Sequence, residues 1–115
     1  MIQILVDEGY AYDYLAILSV KNKKLNNQNT LLTRNTCSEM IMNQVGDDKH
    51  LEILSSQEFN NLFYANENVF DAVDKAKNNM ISAKEVDDLN MERYYCKIAL
   101  QDKFFPDRGI SEIKV

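Results

Sequence analysis

Apolar residues recur along most of this chain at the three-to-four-residue spacing of helices, not at the alternation of strands. Residues 8–23 predict a first helix, with Tyr10, Tyr14, Ile17, Leu18 and Lys21 on one stripe. Asp7 suits its N-cap, and Glu8 sits at the positive end of its dipole. Ahead of it, residues 1–6 read as a brief strand or a packed arm. The polar run at residues 23–29 predicts a loop. A second helix over 31–44 carries Leu32, Thr36, Met40 and Asn43 down one side, with Leu31, Cys37 and Ile41 beside them. Gly46 suits its C-terminal cap. Residues 48–54 suggest a short helical turn.

The second half has a stronger pattern. Phe59, Leu62, Phe63, Val69, Phe70, Val73 and Ala76 trace one helical face over 56–78. Ser55 and Glu58 have the spacing of a capping box, and Leu54 with Phe59 that of a hydrophobic staple. Ser82 and Glu85 repeat the box before a further stripe of Val86, Leu89, Cys96, Leu100 and Phe104, which Pro106 terminates. Asn78 and Asn79 leave room only for an antiparallel helical hairpin.

Composition narrows the class. Three Gly and one Pro in 115 residues are too few for the frequent turns of a sandwich or barrel. The 13 Asn restore some punctuation, because Asn tolerates left-handed backbone and makes local turns. This length predicts one domain covering residues 1–115. The expected fold is an all-α antiparallel bundle of three to four helices with a long C-terminal hairpin.

A formal charge of −5 argues against duplex nucleic acid or an anionic membrane as partner. Lys21, Lys23 and Lys24 form the nearest basic cluster, and a helix C-terminus accounts for it. No apolar run reaches the roughly 18 residues of a transmembrane span, and the N-terminus lacks the form of a signal peptide. Cys37 and Cys96 have no metal-like spacing, so they are expected to be free thiols in a cytoplasmic protein. The single histidine, His50, is expected to be exposed in a loop, giving little support to Ser–His or Cys–His catalysis. Tyr10, Tyr12 and Tyr14 alternate, which turns Tyr12 away from the other two and makes a homo-oligomeric contact or partial burial equally reasonable.

Three constellations carry chemical interest. Residues 74–85 have the length of a calcium loop, with Asp74, Asn78, Ser82 and Glu85 at ligand positions. Ala76 and Asn79 break that pattern, and a weaker copy over 47–58 is broken at Lys49 and Leu51. Helix capping explains both. Second, Glu67, Asp71 and Asp74 share one helical face, and Glu85, Asp88 and Glu92 share another. Carboxylates on facing helices are how all-α nucleotide pyrophosphohydrolases hold Mg²⁺, so that enzyme, with Glu67, Asp71, Asp74, Glu85 and Asp88 as ligands, is the alternative function. Solvated helix faces would look the same.

The third constellation breaks the apolar pattern itself. Asn90, Arg93 and Lys97 lie on or beside the core-facing side of the last helix. Asp13 and Lys21 flank the stripe of the first helix, and Asn66 and Asp71 that of the third long one. A buried Arg needs a carboxylate, so Arg93 should meet Asp71 or Asp13. With Asp74 these residues form a structural ion-pair network or a polar pocket for a small anionic or sugar-like ligand or a partner group, or they snorkel to water.

The same positions carry a resemblance. The run Gly9-x-x-x-Asp13-x-Leu15-x-Ile17-Leu18-x-Val20-Lys21 resembles the motif G-E-x-x-D-K-L-[ST]-I-L-x-I-K of a family of small all-helical proteins. Asn66-x-x-Val69-Phe70-Asp71-x-x-Asp74 is similar to its N-x-x-L-W-D-x-E-D stretch. Asn90-x-x-Arg93-x-x-x-Lys97 is similar to N-D-x-R-x-x-x-K, and the residues at 110–114 resemble I-x-E-E-K. Tyr10, Val73 and Phe70 replace the family's first Glu, its second acid and its Trp. The resemblance implies a helical fold and an accessory protein of the kind encoded among cell-surface sugar genes or in viral genomes, without implying a reaction. The functional expectation is a non-catalytic protein-interaction or small-ligand-binding module that needs no cofactor, with Mg²⁺ entering only under the enzymatic alternative.

Overall fold

The computed structural model describes residues 2–108, which form α1 (Glu8–Leu25), α2 (Gln28–Val45), α3 (Asp47–Leu54), α4 (Gln57–Lys77) and α5 (Ala83–Phe104). The described residues contain no strand, so the all-α class holds, with five helices where three to four were expected. Residues 2–6 belong to no regular element. The family-like stretch at 110–114 lies outside the described residues.

Asparagine sets the helix ends more economically than the polar run suggests. Residues 23–29 are not a loop. α1 runs on to Leu25, where Asn26 turns left-handed at φ 48° and returns its N–H to the Asn22 carbonyl. Asn27 immediately caps α2, its side chain accepting from the Thr30 N–H at 2.8 Å. Two residues therefore end one helix and begin the next. Among the described residues Asn79 is the other left-handed non-Gly residue, φ 56°, between α4 and α5.

The two Ser–Glu boxes fare differently. Ser82 and Glu85 form theirs in both directions. The box at Ser55 does not form, because Ser55 closes α3 and donates its hydroxyl to the Leu51 carbonyl. Ser56 caps α4 instead, accepting from the Phe59 N–H at 3.1 Å. Glu58 is then available to Lys103 at 2.9 Å, which ties the start of α4 to the end of α5 and fixes the hairpin as antiparallel.

The buried faces also differ from the expected stripes. On α1 the buried residues are Gly9, Tyr12, Asp13, Leu15, Ala16, Leu18 and Val20, while Tyr10 and Tyr14 are exposed. Small residues at 9 and 16 let neighbouring helices approach this face, and bulky Tyr10 and Tyr14 would hold them off. On α2 the inward side is Cys37, Ile41 and Val45, and Leu32 and Met40 face out. The main core joins Tyr12, Leu15 and Ala16 to Ile41, Ile53, Leu62, Leu100 and Phe104, so α1 is the element around which the others pack. At Gly9 the approach is closest: its N–H donates to Gln101 Oε1 at 2.6 Å. A Cβ there would lie 3.1 Å from that oxygen and from Lys97 Cγ.

His50 overturns the expectation of an exposed loop residue. It lies on α3 and is 1% exposed, with Nδ1 2.8 Å from the Tyr12 hydroxyl and Nε2 2.9 Å from Ser38 Oγ. The signal was the spacing of His50, Ile53 and Leu54, an apolar face on a helix too short to show a longer pattern. One ring nitrogen donates and the other accepts, so neutral imidazole satisfies α1, α2 and α3 at once. Burial pushes the Tyr12 phenol well above its usual value and keeps it a neutral hydroxyl. Burial also holds the His50 pKa below 6.5, against a smaller upward pull from Asp47.

Two outcomes follow from this packing. Gly9→Val should overpack the α1–α5 contact and cost about 1–3 kcal/mol in urea unfolding. For His50, the unfolded chain binds a proton more readily than the folded one. Its contribution is complete above pH ~6.5 and declines as pH falls below that, by at most about 1.4 kcal/mol per pH unit. Urea midpoints between pH 7.5 and 5.5 should therefore fall for the native chain and stay nearly level for His50→Asn.

Candidate functional site

Asp13 on α1 is buried, and three helices meet at its carboxylate. Asn66 of α4 donates through Nδ2 to Asp13 Oδ1 at 2.9 Å and to the carbonyl of Leu62 at 3.0 Å. Arg93 of α5 brings Nη1 to 3.5 Å from Asp13 Oδ2, an ion-pair distance longer than a direct hydrogen bond between charged groups. Its Nε is buried with no hydrogen-bond partner. Lys97, one turn further along α5, is 2% exposed, with its ammonium 5.2 Å from the ring centre of Tyr94 and 6.0 Å from that of Tyr10. Burial lowers the Lys97 pKa most; Asp13 and Asp7 pull it up, and Arg93 pushes it down.

Of the two acids expected to meet Arg93, Asp13 is therefore the partner. Asp71 is engaged elsewhere, 3.1 Å from Lys24 at the end of α1. Glu67 joins the same patch, 2.6 Å from Lys23 and 3.6 Å from Lys24. The hydrogen bond from Lys23, outweighing some desolvation, lowers the Glu67 pKa, and the bond to Asp71 raises that of Lys24. These lysines do not simply answer the helix dipole; they link α1 to α4. Lys21 is exposed and forms no ion pair among the described residues. Asn90 donates within its own helix to the Val86 carbonyl at 3.3 Å.

Beside Asn66 and Arg93 lies a groove of about 420 Å³ between α1, α4 and α5. Ile17, Val20, Val69, Phe70 and Val73 supply apolar wall, and Asp74 and Lys77 join the two polar residues in its lining. Asp74, Asn66 and Arg93 thus converge on open space, whereas Asp71 and Asn90 do not line it. Chemically the groove offers apolar surface beside a guanidinium with unused donor capacity.

The remaining carboxylates disperse. Glu85 completes the α5 capping box, and Asp88 pairs with Lys84 at 3.1 Å. Among the described residues no three His, Cys, Asp or Glu side chains are grouped to hold a metal ion. The calcium-like segment at 74–85 is divided between the end of α4, a turn and the capped start of α5. Ser38, His50 and Tyr12 line neither this groove nor the other grooves flanking α1 as a set, so their hydrogen bonds act as a tie between helices. Cys37 and Cys96 are unlinked and part-buried, and burial raises both thiol pKa values.

Sequence reasoning missed one further group. Gln101, fully buried, accepts from the Gly9 N–H and donates to Glu8 Oε1 at 2.9 Å, while Arg108 reaches Glu8 Oε2 at 2.7 Å. The only signal was a Gln beside Leu100 on an apolar face. No helix among the described residues is long and apolar enough to cross a membrane. No family model, curated protein or solved structure matches this chain.

Proposed function

We propose that this chain is a non-catalytic binding module whose ligand site is the groove beside Arg93. The ligand is small, with an apolar body for Ile17, Val69 and Phe70 and one anionic group for the guanidinium. The observation that carries this reading is Arg93 itself: its side chain lines the groove, and its carboxylate partner Asp13 stands back at 3.5 Å. A guanidinium offers five donors in a planar fork, so an incoming carboxylate or phosphate can be held without displacing Asp13. Apolar walls with few convergent polar groups are the usual construction of small-molecule sites. The dispersal of Glu67, Glu85 and Asp88 onto lysines and a helix cap favours binding over Mg²⁺-assisted pyrophosphate chemistry.

Calorimetry against short fatty acids, aryl carboxylates, aryl phosphates and neutral sugars tests the proposal. An anionic amphiphile should bind, the uncharged sugars should not, and Arg93→Met should weaken binding at least tenfold, the equivalent of about 1.4 kcal/mol. Absence of binding across the panel, or equal binding by Arg93→Met, would leave Arg93 as only the structural partner of Asp13.

A further inference from the structure

The groove beside Arg93 is lined from α4 at positions 66, 69, 70, 73, 74 and 77. That spacing is one helical face three turns long, about 16 Å at 1.5 Å per residue. The groove is therefore a trough along α4, with Ile17 and Val20 of α1 on its other side. Its volume of about 420 Å³ over that length leaves a cross-section of roughly 25 Å², the girth of one extended hydrocarbon chain. Depth changes along it. Asn66 is 5% exposed and Val73 42%, and Asp13 gathers Asn66 and Arg93 at the deep end. Between Asn66 and Asp74, a rise of about 12 Å, the lining side chains are all apolar. Asp74 and Lys77, one of each charge, stand at the shallow end.

We propose that the ligand is a free, unbranched, medium-chain carboxylic acid, lying along the trough with its carboxylate at Arg93 and its tail toward Val73. This rests on the reading of the groove as an anion-binding site and adds the ligand's shape to it. The guanidinium at the deep end selects one anionic head. The apolar stretch sets the tail. Each C–C bond of ~1.5 Å advances an extended chain by about 1.3 Å, so the stretch takes about nine or ten carbons. A shorter acid leaves Val73 bare, and a longer one runs past Asp74 into solvent. The narrow section excludes cages and fused rings. Opposite charges at Asp74 and Lys77 call for no second ionic group on the ligand.

Calorimetric titration of the full chain with butanoate, hexanoate, octanoate, decanoate and dodecanoate, each below its micellar concentration, reads the length. Affinity should rise roughly two- to fourfold per added carbon up to decanoate and level off at dodecanoate. Adamantane-1-carboxylate, whose carbons form a cage, should bind about tenfold more weakly than decanoate. Val73→Asn, at an exposed position, should cost decanoate about threefold or more and leave hexanoate binding and the melting temperature unchanged. Arg93→Met should weaken every acid by a similar factor. Decanoate that binds no better than hexanoate or the cage, or that ignores Val73→Asn, overturns the chain-shaped ligand, while a retained dependence on Arg93 keeps the groove an anion site. A protein that binds none of these acids overturns the inference as well, and the proposed function falls with it only if aryl carboxylates and aryl phosphates also fail to bind.

Discussion

A carboxylate taken out of water must be matched by donors or cations, and Asp13 is the place where this chain meets that demand. Asn66 supplies the donor from α4 and Arg93 the cation from α5, so one buried charge requires three helices to keep their relative register. Apolar packing alone tolerates sliding of one helix along another. The Asp13 contact does not, since a shift of one turn would leave the charge unmatched. Its geometry is also asymmetric: Asn66 is at hydrogen-bond distance and Arg93 is not. That asymmetry makes the same residues both a structural lock and a candidate site.

Close approach at the two ends of α1 complements this lock. At its start, Gly9 admits Gln101 and the Lys97 stem, and Glu8 turns outward to Gln101 and Arg108. At its end, Lys23 and Lys24 reach Glu67 and Asp71 of α4. The surface ion pairs contribute little individually because solvent screens them. The Gly9 contact matters more: it brings a buried amide to a buried backbone N–H that would otherwise lack a partner on α5's side. α1 is thus held along its length by contacts that depend on small or polar residues.

The sequence revealed the elements through period and caps, and less of the faces. Ser82–Glu85, Asp7 and Gly46 mark helix ends because capping is local chemistry, complete within four residues. The inward face of α1 was obscured because its buried set includes Gly9 and Asp13, which a hydrophobic stripe does not count. Tyr10 and Tyr14 add apolar surface yet remain at the edge with their hydroxyls in water. His50 was hidden for a different reason: its partners, Tyr12 and Ser38, are 38 and 12 residues away, and nothing local indicates such contacts. Of the polar positions singled out beforehand, Asp13, Asn66, Asp74 and Arg93 gather near one groove. Asp71, Lys21 and Asn90 share their helical faces without sharing their partners.

The two-residue junction between α1 and α2 has a consequence for how the molecule opens. α2 has 18 residues of which only Ile41 is buried, and its polar ties to other helices run from Ser38 to His50 and from Arg34 to Ser19. The other buried residues belong to α1, α3, α4 and α5, with His50 and Ile53 on the short α3. The free energy of exposing amides is therefore unevenly distributed, and α2 is the long helix with the least burial to hold it. Next to the Asn26–Asn27 junction, the outward amides of α2 are thus the ones whose opening leaves the contacts around Asp13 closed.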